Sequence, residues 1–329
     1  MTARLRWGIL ATGGIARQFT SDLLRNGFDV RAVGSRSDES AQAFAEQFDL
    51  ATAHGSYEAL FDDPEVDVIY IATPHPWHAG AALAALAAGK HVLIEKPFTL
   101  NQAEARVVAD AARDHGRLAL EAMWTRYLPH MVRIREIIDA GTLGDLRALV
   151  ADHTQKLSDD PGHRLNALEL GGGALLDLGI YPISFAWDLF GEPVVIQSTA
   201  VFKETGADAE IAVQLGYADG RMASTFSASD ARGPNRALVL GTDARIEIDG
   251  VWYTPTSFRV VGPDEEVLEE FHSEVDGRGM HFQAEALERL VADGRLDGGD
   301  VLSTEQSVAI MGTLDRIRRE IGLRYPGED

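Results

Sequence analysis

Cysteine is absent from this chain of 329 residues, which excludes disulfides, thiolate metal ligands and cysteine nucleophiles. Basic residues are few: 30 Lys and Arg stand against 51 Asp and Glu, so the formal net charge is −21. A surface with this charge repels phosphate backbones. We therefore expect no nucleic-acid partner.

Long apolar runs are absent too. The longest stretch, residues 79–88, is rich in alanine and ends at Gly89, well short of the ~20 apolar residues that a membrane span needs. The N-terminal sequence MTARLRWGIL does not have the pattern of a signal peptide. We therefore expect no membrane partner and a cytoplasmic location.

The length favours two domains, because single domains cluster near ~100–150 residues. In the first third, short apolar runs alternate with helical patterns, which is typical of a doubly wound parallel sheet. After Met123, strand-like segments follow one another from 194 to 268, with helices on either side. We predict an α/β fold: an NAD(P)-binding Rossmann domain over residues 1–122, and an α+β substrate-binding and dimerisation domain with a large mostly antiparallel sheet over 123–329.

The predicted elements follow from these periodicities. The predicted strands of the first domain are residues 5–10, 30–34, 66–72, 91–94 and 118–122, and its helices end near 26, 47, 88 and 115. The predicted helices of the second domain are residues 131–139, 180–189, 281–293 and 304–321.

A glycine turn follows the first predicted strand. Aligned to G-x-G-x-x-G/A, the sequence places Ala11, Gly13 and Ala16 at the three fingerprint positions, so Ala11 departs from the usual glycine. Gly13 would let the backbone approach a pyrophosphate at the helix N-terminus, and Ala16 would let the helix pack on the sheet. The alternative is a purely structural turn. The predicted cofactor contacts here are Ala11, Thr12, Gly13, Gly14, Ile15 and Ala16.

The end of the second strand indicates the type of nucleotide. An acidic residue there would favour NAD, whereas this chain has Ser35 and Arg36. A hydroxyl and a guanidinium suit a ribose 2′-phosphate, which favours NADP over NAD. The alternative is an ordinary polar loop in which Ser37 caps the next helix.

The third junction reads TPHPWH and follows a strand at the edge where open α/β sheets bind ligands. We predict that Thr73, Pro74 and His78 line the cofactor site beside the nicotinamide, with helix capping as the alternative. His75 and His78 are not predicted to bind a metal, because no third ligand stands at motif spacing.

Two further segments carry groups suited to proton transfer. Glu95 and Lys96 directly follow the fourth strand, where an ammonium can hydrogen-bond a substrate hydroxyl; the alternative is a solvated ion pair. In the glycine-rich segment 170–182, Asp177 and Tyr181 are four apart and share one face of a helical turn. A phenol can exchange a proton with an alcohol, although Tyr181 can also be a core aromatic and Asp177 a helix cap.

The segments ATGGIA, TPHPWH, AGKHVLIEKPF and GGGALLDLGIYPI together resemble the Gfo/Idh/MocA oxidoreductases over essentially the whole chain. The segments EAMWTRYLP (Glu121–Pro129) and GIYP are most similar to its dihydrodiol dehydrogenase and NADP-dependent D-xylose dehydrogenase branch. The resemblance implies NADP-dependent hydride transfer at a CH–OH group of a sugar, polyol or dihydrodiol. It also implies a cis peptide bond before Pro97.

The same resemblance implies roles for individual residues. Tyr181 is the expected general acid and base, Lys96 orients the substrate and favours the ionised tyrosine, and Asp177 holds a substrate hydroxyl or Lys96. Lys96 and Tyr181 would then act together in a cleft between the domains. Trp124 and Arg126 are expected in the floor of the substrate pocket, with interdomain packing as the alternative. Glu95 and Lys96 are also expected to contact the cofactor.

Other interpretations remain open at this stage. A nucleotide-binding regulator without turnover would keep the nucleotide site but lose Lys96 or Tyr181, and this chain has both. An NAD-dependent lyase or glycosidase of the same family would hold its nucleotide tightly. The second predicted sheet indicates a homodimer, or a higher homo-oligomer, formed through strands that carry Val195, Gln197 and Thr199 together with Ile211, Val213 and Leu215.

Overall fold

In a computed structural model, which describes residues 4–328, the first six strands form one parallel sheet. The strand order is β3-β2-β1-β4-β5-β6. The chain adds strands outwards from β1 on one side and from β4 on the other, so the topological switch point lies between β1 and β4. The strands are β1 (Arg6–Leu10), β2 (Asp29–Gly34), β3 (Thr52–His54), β4 (Val68–Ile71), β5 (His91–Glu95) and β6 (Ala119–Ala122). This order is that of a doubly wound dinucleotide-binding sheet, whose ligands bind beyond the carboxyl ends of the strands.

Five helices connect these strands: α1 (Gly14–Arg25), α2 (Asp38–Phe48), α3 (Tyr57–Phe61), α4 (His78–Ala87) and α5 (Gln102–Asp114). The apolar runs that predict β1, β4 and β5 are buried throughout or nearly so, because helices cover both faces of a parallel sheet. The sequence did not predict β3 or α3. Each is too short to show a period, and α3 is recognisable only by its N-cap, where Ser56 Oγ accepts a hydrogen bond from Ala59 N at 3.2 Å.

The second sheet has eight strands in the order β14-β13-β12-β11-β7-β10-β9-β8. They are β7 (Leu146–Thr154), β8 (Val195–Phe202), β9 (Asp208–Gly216), β10 (Met222–Ala228), β11 (Ala237–Gly241), β12 (Arg245–Ile248), β13 (Phe258–Val261) and β14 (Val267–Phe271). Sequence reasoning missed β7, which pairs with β10 in parallel and with β11 antiparallel. The sheet is therefore mostly antiparallel, as predicted, around one parallel pair.

Four helices accompany the second half of the chain: α6 (Pro129–Asp139), α7 (Ile180–Phe190), α8 (His281–Ala292) and α9 (Thr304–Ile321). A π-helical turn, Leu175–Gly179, leads directly into α7. Helix α7 packs against β7 and β10, so it covers one face of the second sheet. The predicted fold class, a Rossmann sheet followed by an α+β region, is confirmed.

By contacts, the chain divides into two units. Unit 1 contains residues 1–124 and 277–311, and unit 2 contains residues 125–276 and 312–329. The stretch 277–311, with α8, belongs to the unit of the first sheet, which the predicted domain division at residue 122 does not anticipate. The division of the chain into a cofactor-binding domain over residues 1–122 and a substrate-binding domain over 123–329 remains a prediction. Among residues 4–328, no helix is both long and apolar enough to cross a membrane.

Candidate active site

The glycine turn after β1 adopts the geometry that the dinucleotide fingerprint requires. Ala11 has φ 79°, the left-handed conformation in which the fingerprint has glycine, and its N–H donates to Gly34 O at 2.9 Å. A non-glycine residue pays on the order of 1 kcal/mol for this conformation. The turn therefore forms in spite of the alanine, at a small cost in strain.

The start of α1 presents open backbone. No side chain among residues 4–328 caps this end, where Gly13 is the N-cap residue. A Cβ placed on Gly13 or Gly14 would meet nothing within 4 Å in that same part of the chain. Uncapped N–H groups at a helix start form an anion site. The turn thus fits a pyrophosphate. Ala16 is fully buried, so it can pack on the sheet as expected, but with no exposed surface it cannot itself contact the cofactor as predicted.

The end of β2 shows a feature of each interpretation of its polar loop. Ser37 Oγ accepts from Ser40 N at 3.2 Å, so Ser37 does cap α2. Ser35 is buried and its N–H donates to His54 O at 3.0 Å. The Arg36 side chain is exposed. Burial raises the pKa of Tyr57, and the positive charge of nearby Arg36 opposes this with a smaller effect. Capping by Ser37 therefore leaves Arg36 available for a phosphate.

The loop after β4 contains a buried hydroxyl without a protein partner. Thr73 Oγ1 has no hydrogen-bond partner among residues 4–328. A buried polar atom left in this way costs roughly 1–3 kcal/mol unless a ligand or water completes it. Thr73 lies beyond the carboxyl end of a strand next to β1, so this orphaned hydroxyl is a second feature that fits a bound cofactor.

His78 corrects one of the sequence predictions. Its side chain is fully buried, with Nδ1 2.9 Å from Pro97 O and Nε2 2.8 Å from Thr73 O. Burial lowers the pKa of His78 to about 4 in spite of these carbonyls. With no exposed surface, His78 cannot contact the cofactor directly as predicted. It holds the loop after β4 against the loop after β5.

The loop after β5 carries Lys96, which is half-buried and precedes a cis peptide bond to Pro97, as the resemblance implied. Glu95 is buried and accepts a hydrogen bond from the Tyr70 hydroxyl. The buried carboxylate of Glu121 accepts from Phe98 N at 3.0 Å, which fixes the turn that follows Lys96. The sequence suggested no role for Glu121, although its place at the end of β6, the strand paired with β5, was a usable signal.

In unit 2, the π-helical turn and α7 carry the two other predicted catalytic groups. Asp177 lies within the π-helical turn, and its Oδ1 is 3.2 Å from Arg164 Nη1. Tyr181 is in the first turn of α7 and is largely buried. π-Helical turns occur frequently at functional sites. Sequence reasoning did not include Arg164 among the candidates.

The Tyr181 ring lies in an aromatic cluster that the sequence did not reveal. The His153 ring meets it in a T-shaped arrangement, with centroids 4.8 Å apart and an interplanar angle of 74°. Tyr253 stacks on His153 at 3.6 Å and lies 5.5 Å from Tyr181. His153 comes from the unpredicted strand β7 and Tyr253 from a loop, so only the tertiary structure brings them together.

Asp208, at the start of β9, holds the first residue of the π-helical turn by a hydrogen bond. Its Oδ2 accepts from Leu175 N at 2.6 Å, so a carboxylate from another strand caps the turn that carries Asp177. Gly173 has φ 135°, and a Cβ there would overlap Asp208 Oδ1. The glycine-rich segment is therefore needed for this close approach. Burial raises the pKa of Asp208 to about 6.

The raised pKa of Asp208 predicts a pH dependence of stability. A folded-state pKa of about 6 against an ordinary 3.8 means that the folded chain binds the proton more tightly than the unfolded chain. The resulting stability is complete below about pH 4 and is lost as the pH rises through about 6, by about 3 kcal/mol in all. The side chain introduced by Asp208→Asn cannot titrate. The difference in unfolding free energy, wild type minus variant, should therefore fall by about this amount as the pH rises. Urea unfolding of both proteins from pH 4 to 7 measures it, and a constant difference would contradict the role of Asp208.

Arg126 and Trp124 are both buried. The Arg126 side chain is 1% exposed; its Nε donates to Ser184 Oγ at 2.9 Å and its Nη1 is 3.7 Å from Asp188 Oδ1. Its guanidinium is thus occupied in holding α7, which corrects the prediction that it binds substrate. Trp124 is buried, and the Arg278 guanidinium lies 5.2 Å from its ring. A substrate contact for Trp124 remains a prediction.

Comparison with known proteins identifies the family. Residues 5–122 match the model of the GFO/IDH/MocA oxidoreductase family with an NAD-binding Rossmann fold, and residues 131–247 match the GFO/IDH/MocA C-terminal domain. The chain belongs to the Gfo/Idh/MocA oxidoreductases. The family resemblance inferred from the sequence motifs is confirmed, and the oxidoreductase class with it.

Relatives within this family align over almost their whole length. A trans-1,2-dihydrobenzene-1,2-diol dehydrogenase of Mus musculus is 38% identical, over 98% of this chain and 98% of the relative. A D-xylose 1-dehydrogenase (NADP(+)) of Hypocrea jecorina is 32% identical, over 98% of this chain and 93% of the relative. The crystal structure of aldose-aldose oxidoreductase from Caulobacter crescentus superimposes with a TM-score of 0.86 at 25% identity, over 97% of each chain.

Proposed function

We propose that this chain is an NADP-dependent dehydrogenase that acts on a CH–OH group of a sugar, polyol or dihydrodiol. The observation that carries the proposal is the full-length likeness to the dihydrodiol and D-xylose dehydrogenases, together with the presence of both Lys96 and Tyr181. A regulator without turnover would not need both groups. The substrate is thus a small polyhydroxylated molecule.

The cofactor site consists of the uncapped start of α1, Ser35 and Arg36 after β2, and the loops after β4 and β5. Bound NADP would supply the acceptor or donor of the hydride. The backbone at Gly13 would hold the pyrophosphate, Arg36 the 2′-phosphate, and Thr73 Oγ1 would gain the partner that it lacks among residues 4–328. Pro74, Glu95 and Lys96 complete the proposed contacts.

The proposed proton path uses the protein's own side chains. Tyr181 accepts the hydroxyl proton of the substrate during oxidation and returns it during reduction. Lys96 donates a hydrogen bond to a substrate oxygen and stabilises its developing negative charge. Asp177, held by Arg164, accepts a hydrogen bond from a neighbouring substrate hydroxyl.

A reduction screen tests the proposed function. Purified protein is mixed with NADP and with aldoses, polyols, cyclitols and dihydrodiols in separate reactions, and formation of NADPH is followed by absorbance. A single strong responder is the expected outcome. Absence of turnover in every class would favour the regulator. Retention of nucleotide through gel filtration would favour the lyase or glycosidase.

Replacing Arg36 with Asp should move the cofactor preference from NADP towards NAD by at least several-fold. The change removes an ion pair with the 2′-phosphate and places a like charge against it. Calorimetric Kd values for both cofactors measure the shift. Arg36→Gln, which removes the charge without adding repulsion, should give a smaller one. Equal affinity of the wild type for NAD and NADP would contradict the assignment of Arg36.

We propose a homodimer that forms through the open face of the second sheet. Val195, Gln197 and Thr199 do face that side, but Ile211, Val213 and Leu215 are at most 2% exposed and belong to the opposite, buried face. This corrects the predicted interface, because neighbouring residues of a strand alternate between faces. The open face instead carries exposed Val150, Met222 and Phe226 beside a groove of about 470 Å³.

The groove combines apolar residues with a charged rim that includes Arg236, Glu247 and Arg259, as protein interfaces do. Phe226→Asp should therefore convert the dimer into a monomer, as measured by light scattering at micromolar concentration. Val107→Asp, at an exposed site on α5, is the control and should leave the dimer intact. A monomeric wild type would refute the proposed dimer. A higher symmetric oligomer would mean that a second interface adds to the proposed one. The cytoplasmic location stays a prediction.

A further inference from the structure

The helical segment that carries Tyr181 contains a proline where a helix normally needs an N–H group. Pro182 directly follows Tyr181 and has no backbone N–H, so the carbonyl of Leu178, four residues earlier, lacks its α-helical donor. The preceding turn, Leu175–Gly179, is π-helical rather than α-helical. The Leu178 carbonyl still accepts from a backbone N–H where this turn joins α7, and its second lone pair can accept from a side-chain donor.

His153 is placed to donate to that second lone pair. Its Nδ1 lies 3.1 Å from Leu178 O, and its side chain is 1% exposed. Because a carbonyl oxygen can only accept, the proton must be on Nδ1. Nε2 is then left as an acceptor, and the Gln155 side-chain amide lies 2.9 Å from it. The two contacts together select the neutral ring with one tautomer.

The same ring contacts the phenol of Tyr181 and its neighbour. It meets Tyr181 in a T-shaped arrangement with centroids 4.8 Å apart, and its face stacks on Tyr253. Within unit 2, one imidazole therefore holds both the backbone three residues before Tyr181 and the Tyr181 ring itself. A side chain that is a general acid and base depends on such support, since a displacement of ~1 Å can cost ~10²-fold in rate.

We propose that His153, as the neutral Nδ1–H tautomer, is a positioning residue that orients the Tyr181 phenol for proton transfer. The proposal rests on the proposed function of Tyr181. It goes beyond that function by naming the group that adds a side-chain hydrogen bond to the backbone before Tyr181 and fixes the orientation of the ring.

Two substitutions separate the hydrogen bond from the ring. His153→Phe keeps an aromatic ring but cannot donate to Leu178 O, whereas His153→Asn can donate but has no ring. We expect each to lower kcat by about 10-fold while changing the NADP Kd less than about two-fold, because Tyr181 is misplaced and the nucleotide loops are untouched. His91→Phe is the control: it loses a histidine contact with Leu118 N at the opposite end of β5 from Lys96, and it should keep wild-type kcat.

A double-mutant cycle distinguishes a positioning role from general structural support. If His153 acts through Tyr181, His153→Phe in the Tyr181→Phe background should lower kcat no further than Tyr181→Phe alone. Independent, multiplying losses in the double variant would overturn the proposal. So would a His153→Phe protein that melts earlier but turns over at the wild-type rate.

A spectroscopic titration keeps the inference testable if no substrate is found. The near-ultraviolet titration of wild type minus that of Tyr181→Phe isolates the ionisation of Tyr181. In the His153→Phe background, the same difference should move to higher pH, because a less polar neighbour disfavours the phenolate. An unmoved titration would overturn the role of His153, whereas failure of the substrate screen with a moved titration would count against the proposed function alone.

Discussion

Replacing Tyr181 with phenylalanine is expected to lower kcat by ~10²–10⁴-fold, the scale for loss of a general acid and base. The substitution removes the hydroxyl and keeps the ring, so the contacts with His153 and Tyr253 persist. The affinity for NADP should change little, because the proposed nucleotide contacts belong to other segments of the chain. Steady-state kinetics on the substrate found in the screen, with calorimetry for NADP, measures both quantities.

Tyr217 offers a matched control for Tyr181→Phe. Its hydroxyl is buried and has no hydrogen-bond partner among residues 4–328, and its ring packs against Phe190. Tyr217→Phe should therefore keep wild-type turnover. Should Tyr181→Phe also keep it, the proton must move through another group, and Lys96 is then the next candidate. His78 is not an alternative, because it is fully buried with both ring nitrogens at backbone carbonyls.

Replacing Lys96 with methionine is expected to lower kcat at least as severely as Tyr181→Phe. In the role that the family resemblance implies, the ammonium both aligns the substrate hydroxyl and favours the phenolate of Tyr181, so the loss affects two interactions at once. The pH profile of kcat should also change, because removing a positive charge disfavours the phenolate of Tyr181 and should move the tyrosine-dependent midpoint to higher pH. Kinetics across a pH series measures the rate and the midpoint together.

Lys90→Met controls for the loss of a lysine from unit 1. The Lys90 ammonium donates to Asp63 O at 2.6 Å and to Val66 O at 2.7 Å, so its loss should lower the melting temperature and leave kcat per folded molecule unchanged. If Lys96→Met lowers kcat but leaves the pH profile unshifted, the proposed role of Lys96 in aligning the substrate would stand. Its proposed electrostatic role would be refuted.

The sequence alone was sufficient to predict the Rossmann part of the fold except for the short elements β3 and α3. The strands β1, β4 and β5 are continuous apolar runs because helices cover both faces of a parallel sheet, and such runs are visible without any structure. The charged or glycine-rich residues directly after each run could then be placed at one edge of the sheet. The family resemblance depended on the same local segments, and it was confirmed.

The strands that interrupt this pattern could not be read from the sequence. Strand β7 has exposed Val150 and buried His153 on alternate faces, and its order in the sheet depends on pairing with β10 and β11, which are distant in sequence. Predicting its place would require knowing which strands meet. The same limitation hid the buried face of β9 and misplaced half of the predicted dimer interface.

For the candidate site, the sequence identified the chemical groups, and the tertiary structure decided what each group contacts. Lys96, Asp177 and Tyr181 stand in recognisable local motifs, so residue type and spacing were enough to select them. The partners of these motifs come from elsewhere in the chain: Asp208 caps the turn of Asp177, and His153 supports Tyr181. Burial likewise decided that Arg126 and His78 support the protein instead of binding a ligand. Hydrogen bonds and ring contacts between distant segments depend on how the chain folds back on itself, and no local pattern of residues records that.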